Sequence, residues 1–188
     1  MLRPLRAPLV MLLGFTLVTG LVYPLVVTGF AWVMMQDAAL GSLVIRDGKA
    51  VGSSLVGQNF TTDRYFHPRP SATDPAYNAA ASSGSNLGPI TRKLIERTNA
   101  SVDTLRQQGV AGPIPVDAVT ASASGLDPDI SPDAARMQVA RVAKARNLDE
   151  AAVLELVNRQ AENRALGFLG EPHVNVLALN IALDGLRQ

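Results

Sequence analysis

The stretch APLVMLLGFTLVTGLVYPLVVTGFAWVMM, residues 7–35, carries no formally charged side chain, and its reading decides how the rest of the chain is built. As an ideal helix it would reach ~44 Å at a rise of ~1.5 Å per residue, against a hydrocarbon core of ~30 Å. The surplus fits a tilt, a kink at Pro24, or apolar turns that run on into the soluble part. A cleaved signal peptide also sets basic residues before apolar ones, but its hydrophobic region is only about 7–15 residues long and ends in small residues. This run is roughly twice that length, and it leaves through Met34-Met35-Gln36-Asp37-Ala38-Ala39, with no clean Ala-x-Ala site. Residues 7–35 therefore read as a permanent transmembrane anchor.

Orientation follows from the flanking charges. Arg3 and Arg6 lie on the short N-terminal side, whereas Arg46 and Lys49 are farther off and mixed with Asp37 and Asp47. Basic residues next to a span stay on the cytoplasmic side. Residues 1–6 are then the cytoplasmic N-terminus, and residues 36–188 form an extracytoplasmic domain. Within the anchor, Thr16, Gly20, Pro24 and Thr28 recur every fourth residue, and Gly29 extends that stripe. Small groups at this spacing let a second membrane helix approach closely, so the four residues are the expected packing face. Pro24 also leaves a carbonyl near Gly20 without its helical partner, which a neighbouring helix would satisfy.

Residues 36–188 are enough for one domain with its own core. The chain has no cysteine, so disulfides and thiolate chemistry are excluded. Its net charge is +1, and taking Arg3 and Arg6 from the 17 basic residues leaves the rest slightly acidic against 16 Asp and Glu. That balance gives no footprint for nucleic acid. The expected fold class is a single N-terminal transmembrane helix followed by one α/β, helix-rich extracytoplasmic domain.

Leu43-Val44-Ile45 and Ala50-Val51 flank an Asp47-Gly48 pair, which predicts a hairpin. Ser54 to Phe60 is expected to add a short strand. Residues 61–89 are rich in Pro, Ser, Gly and Asn, yet Tyr65, Phe66 and Tyr77 mark them as an ordered excursion. A helix is expected from Asn86 or Leu87 to Gln108, stopped by Gly109. Ser131-Pro132-Asp133 is a strong helix start. Asn147 with Glu150 resembles a capping box for the next helix, in which Val153, Leu156 and Val157 keep helical spacing. Val174 to Leu186 reads as a buried helix, with a strand at its start as the alternative.

Catalytic and metal chemistry find little support. His67 and His173 are the only histidines, and neither has a companion at metal-ligand spacing. No Gly-x-Ser-x-Gly elbow and no P-loop occur. Asp127, Asp129 and Asp133 read as turn and helix-cap carboxylates, since their spacing is not that of a calcium loop. Ser82-Ser83-Gly84-Ser85-Asn86 reads as ordinary capping before a helix. No catalytic and no metal-ligating residue is expected, and the class is a membrane-complex subunit.

Several stretches resemble one family, the C subunit of the bacterial Kdp potassium-transporting ATPase. They are Gly52 to Phe60, Tyr65 to Ala72, Tyr77-Asn78, Gly84 to Asn86, Val119 to Pro128 with Ile130-Ser131, Arg141 to Arg146, and Val174 to Asn180. They occur in the family's order behind one N-terminal anchor and together span nearly the whole chain. Asp129 departs from the His or Asn that the family often carries after Asp-Pro. The resemblance implies a non-catalytic subunit in the inner membrane of a bacterium, partnered by a channel-like, potassium-binding A subunit, a P-type ATPase B subunit and a small F subunit. No cofactor would be bound tightly, with ATP and potassium handled by the complex.

Two roles are implied for such a subunit: a catalytic chaperone that raises the ATP affinity of the ATPase subunit, and a stabiliser of assembly that covers the potassium entrance. ATP is cytoplasmic, so the orientation favours the second role, with any ATP effect indirect. Under direct nucleotide contact, Gln138 is the residue singled out; its bland reading is a solvated surface amide. Two other classes compete: a membrane-anchored extracytoplasmic ligand-binding protein using the loop from Tyr65 to Asn78, and a secreted enzyme cleaved near residue 38.

Overall fold

The computed structural model describes residues 3–186, so the first two residues of the segment 1–6 and the last two of 36–188 lie outside the described residues. The chain forms two compact units divided between Val51 and Gly52. The first unit holds one N-terminal helix long and apolar enough to cross a membrane, Pro4–Met34, with none of it buried. The second is helix-rich and contains small sheets.

The long helix is composed of α1 (Arg3–Leu17), a π-helical turn (Val18–Val22) and α2 (Tyr23–Met34). A short helix, α3 (Gln36–Ala39), follows. The predicted hairpin is present as β1 (Leu43–Arg46) and β2 (Lys49–Ser53). Asp47 and Gly48 occupy its turn with φ of 50° and 73°. Both central residues of a type I′ turn need that left-handed backbone, which Asp and Gly tolerate.

The second unit is built on α5 (Pro132–Arg146), α6 (Glu150–Gln160) and α7 (Val176–Asp184). These pack with a three-stranded antiparallel sheet ordered β3 (Asp129–Ile130), β5 (His173–Asn175), β4 (Ala161–Glu162). Ile130 and Ala161 both stand opposite Val174, which fixes the register on one buried side chain. Val142 from α5, Val153 and Val157 from α6, and Leu179 and Leu183 from α7 are fully buried in one core. The core also takes in Phe66, 0% exposed, from the excursion expected after Thr61. That segment is ordered, and its aromatic ring is why.

Ser131 caps α5 as its sequence dictates, accepting from the Ala134 amide at 3.0 Å. Four local expectations are corrected. No strand runs from Ser54 to Phe60; the only pairing there is a bridge between Ser53 and Val56. The Gly57 amide instead donates to the Leu126 carbonyl at 2.8 Å, drawing the chain onto the loop before β3.

The helix expected from residue 86 or 87 begins later, at residue 92, as α4 (Arg92–Gln107). Pro89 disfavours helical backbone at Gly88, and the Thr91 amide and hydroxyl both turn back to the Gly88 carbonyl. Residues 82–86 therefore do not cap α4, whose N-cap is Thr91. The Asn147–Glu150 capping box is also absent: Asn147 ends α5 at φ 56°, and Asp149 caps α6 through the Ala151 amide. Asn is among the few residues that adopt this left-handed conformation readily. Finally, the C-terminal segment opens with strand β5 before turning into α7, the alternative anticipated for it.

Replacing Phe66 by Ala should destabilise the second unit by ~3–5 kcal/mol, the usual result of emptying a core aromatic site. Phe168→Ala, at a side chain 68% exposed, should stay within about 0.5 kcal/mol. Denaturant unfolding of the two variants, followed by circular dichroism, measures the contrast.

Candidate functional site

Residues 63–67 cross the domain outside any helix or sheet, so their polar backbone atoms need other partners. Side chains of α5 and α7 supply them. Arg141 donates to the carbonyls of Asp63 at 2.8 Å and Tyr65 at 3.1 Å. Arg146 donates to Arg64 at 2.7 Å. Asn180 donates to the Phe66 carbonyl at 3.0 Å and accepts from its amide at 2.8 Å. Gln138 treats His67 the same way, donating to its carbonyl at 3.0 Å and accepting from its amide at 2.7 Å. Two side-chain amides thus imitate a neighbouring strand, one residue after the other.

The charges around this strap are also engaged. Arg146 pairs with Asp184 at 2.7 Å and lies 4.7 Å from the Tyr65 ring centre. Its side chain is only 10% exposed, so loss of the carboxylate should destabilise the domain. Gln138 also accepts from Arg141 at 2.7 Å and donates to the Ala134 carbonyl at 3.2 Å. The structure therefore places Gln138, half-buried, with both ends of its amide bonded within the chain.

A second assembly follows the strap. Arg69 pairs with Asp127 at 2.8 Å, and the Tyr77 hydroxyl donates to the Arg69 carbonyl at 2.7 Å. Burial first, and the Asp127 charge second, push the Tyr77 hydroxyl's pKa upward, so it stays a donor. Ser71 donates to the Gly125 carbonyl at 2.7 Å. Gly57 passes so close that a Cβ there would stand 2.5 Å from the Asp127 carbonyl oxygen. The loop from Tyr65 to Asn78 is thus packed against residues 122–127.

Asp127 also accepts from the Asp129 amide, and Asp133 pairs with Arg136, in keeping with turn and cap roles. Burial raises the Asp129 carboxyl's pKa, against lowering by His173 and by the hydrogen bond from Asn175. Among the described residues no group of three or more His, Asp or Glu stands together to hold a metal.

A cavity of about 800 Å³ opens beside the strap, between the end of α4 and the outer side of α5. Leu105, Val110 and Met137 give it apolar walls, and His67, Arg69, Gln138, Arg141 and Lys144 line it with polar groups. The ring of His67 points its Nε2 at the Thr62 carbonyl, 3.0 Å away. Burial first and Arg141 second lower its pKa from 6.5. His173 contacts the Glu171 carbonyl and Glu162. Neither ring meets a serine or threonine hydroxyl in the hydrogen bonds of the described residues, so no nucleophile–base pair is formed there.

The anchor helix carries its own geometry. Pro24 lacks the N–H that would bond the Gly20 carbonyl, and the turn just before it widens so that the Tyr23 amide reaches Val18. Positions four apart drift by ~40° per step on a straight α-helix, or ~120° from Thr16 to Thr28. The π turn holds one extra residue and returns ~100° of that drift. Thr16, Gly20, Pro24 and Thr28 are left on nearly one line, and a Cβ at Gly20 would meet nothing within 4 Å.

Sequence reasoning missed Arg141, Arg146 and Asn180 as the groups that hold the strap. A signal was present: Arg146 continues the spacing of Val139 and Val142, and Asn180 sits among apolar neighbours. A polar residue on a buried helix face requires a partner.

The fold defines a class: one N-terminal helix long and apolar enough to cross a membrane, followed by a helix-rich unit with small sheets. Residues 5–185 match the family described as "KdpC: K+-transporting ATPase, c chain". A "Potassium-transporting ATPase KdpC subunit" from Methylobacterium nodulans is 55% identical over 99% of this chain and 98% of its own length. Proteins of the same name from Bradyrhizobium diazoefficiens and Rhodopseudomonas palustris strain BisB5 are 54% and 53% identical, each over 98% of both chains. The chain belongs to the KdpC family.

The lowered pKa of His67 sets a pH dependence. Above 6.5 the ring is neutral folded or unfolded; below it the unfolded chain binds a proton that the folded chain resists. Stability should therefore fall as pH drops below 6.5, and His67→Gln should flatten that part of the profile. Thermal unfolding of both forms across this range measures the difference.

Proposed function

We propose that the chain is an accessory, non-catalytic subunit of an ATP-driven potassium-import complex in a bacterial inner membrane. The observation that carries this reading is the family match over residues 5–185, behind a helix of membrane-spanning length. Its partners are a channel-like, potassium-binding A subunit, a P-type ATPase B subunit and a small F subunit. Arg3 and Arg6 keep the N-terminus in the cytoplasm, and the domain after residue 36 works outside, stabilising the assembly and potassium access.

In this reading the domain binds no cofactor. ATP is on the opposite side of the membrane, so any rise in the ATPase subunit's nucleotide affinity is passed through the membrane subunits. The bonds of Gln138 to His67, Ala134 and Arg141 support the indirect route, since a nucleotide would have to displace them. The face formed by Thr16, Gly20, Pro24 and Thr28 receives a partner helix. The cavity of about 800 Å³ is the observation that favours the alternative, an anchored extracytoplasmic ligand-binding protein. Retention of a small molecule by the chain purified alone would support that alternative.

Protease added to intact spheroplasts should digest the domain and leave the N-terminus protected; digestion from the cytoplasmic side alone would reverse the orientation.

Copurification tests membership and the helix face together. Gly20→Leu adds bulk where backbones should meet, and overpacking of this kind costs ~1–3 kcal/mol, enough to weaken assembly roughly tenfold. Val22→Leu, off the stripe, should be milder. Recovery of the channel-like and ATPase subunits with each tagged variant, and growth in limiting potassium, are the readouts. Equal recovery would remove the stripe from the interface, and no recovery with the unmodified chain would remove the chain from the complex.

A further inference from the structure

Three large apolar side chains crowd the loop between β4 and β5 without any burial to explain them. Leu166 is 83% exposed, Phe168 68% and Leu169 50%. The loop is nonetheless built. Ala165 bridges to Leu169, and the amides of Gly167, Phe168 and Leu169 donate to carbonyls of Arg164 and Ala165 within the loop. Arg164 pairs with Glu171 across its base. Leu166 has φ of 54°, a conformation unfavourable for a bulky side chain, and it gains no contact with the core in return. Backbone strain of this kind persists where it serves a function.

We propose that this loop dips into the surface of the bilayer that holds the anchor, with Leu166, Phe168 and Leu169 among the outer ends of the acyl chains. The proposal rests on the reading of Pro4–Met34 as a membrane span. Residues 165–170 carry no charge, and three of their amides already have partners, so transfer into a medium without water orphans few donors. The Arg164–Glu171 pair at the base stays at the level of the headgroups, with the tip ~5–10 Å deep.

Residues 35–51 span at most ~60 Å even if fully extended, so a membrane-spanning anchor would tether the domain to the bilayer. Three side chains would supply only part of the ~800 Å² per partner that a stable protein interface buries. Lipid contact needs no such area, because the anchor already supplies a high effective concentration of bilayer.

The test uses the full chain reconstituted alone into liposomes. Trp32 is the sole tryptophan, so Trp32→Phe combined with Phe168→Trp leaves one reporter at the tip. The expected result is blue-shifted emission, strongly quenched by lipids brominated near the headgroup end of the acyl chain. Adding Leu166→Asp should shift the emission to the red and relieve the quenching. Water-like, unquenched emission from a chain that resists carbonate extraction would overturn the proposal while sparing the anchor. Emission that shifts only after the channel-like and ATPase subunits are added would overturn it in favour of a protein surface. Release of the chain by carbonate would overturn the anchor and the proposal together.

Discussion

A backbone segment that crosses a domain without joining a helix or sheet must find a partner for every carbonyl away from water, or the fold loses more than the segment's packing contributes. In residues 63–67 all five consecutive carbonyls are met by side chains: Arg141 takes the first and third, Arg146 the second, Asn180 the fourth and Gln138 the fifth. The burial of Phe66 depends on that arrangement, because its ring enters the core only if its own amide and carbonyl are satisfied beside it. The packing of α5 and α7 depends on it as well, since both helices direct polar side chains at the strap. Asp184 completes the set by giving the buried Arg146 a counter-charge.

The excursion that follows uses a different device. From Arg69 to Gly84 the chain is held against residues 123–127 by close backbone approach as much as by ionic contact. The Gly84 backbone runs so near Ala123 that a Cβ would stand 2.7 Å from its carbonyl oxygen. Gly125 bends at φ 68° beneath Thr73 and the Ser83 carbonyl. A long irregular stretch stays ordered here because it is one layer of a loop-on-loop packing. Tyr65 to Ala72, Tyr77-Asn78, Gly84 to Asn86 and Val119 to Pro128, stretches that resemble the family, lie in or beside these two layers.

Elements whose signal is local were legible in the sequence. The uncharged run of residues 7–35, the Asp47-Gly48 turn, the Ser131-Pro132 helix start and the spacing of Val153 and Val157 each depend on neighbours within a turn or two. Part of what failed depended on partners far along the chain. Gly57 is drawn to Leu126 rather than into a strand, and that contact leaves no trace in Ser54 to Phe60. Asn147 carries equal credentials as the start of one helix and the end of another, and only the course of the chain decides between them. Gln138 was visible as a residue of interest, but its link to His67, 71 positions away, was not. Arg146 and Asn180 were within reach, since a polar group in an apolar helical stripe announces a buried partner.

The strap's partners all come from later in the sequence, and this sets an order on how the domain is made. Phe66 and Asn180 are 114 residues apart, and Tyr65 and Asp184 are 119 apart. Synthesis delivers residues 63–67 long before α7, so they emerge before anything exists to satisfy them. Until α7 arrives, the segment that will carry Phe66 into the core must remain solvated or be sheltered by something else. Such non-local closure is slow compared with helix formation, and a polypeptide ending before Val176 would hold a complete anchor joined to a domain without its closing element. Residues of α7 are therefore the ones that allow the first part of the domain to close.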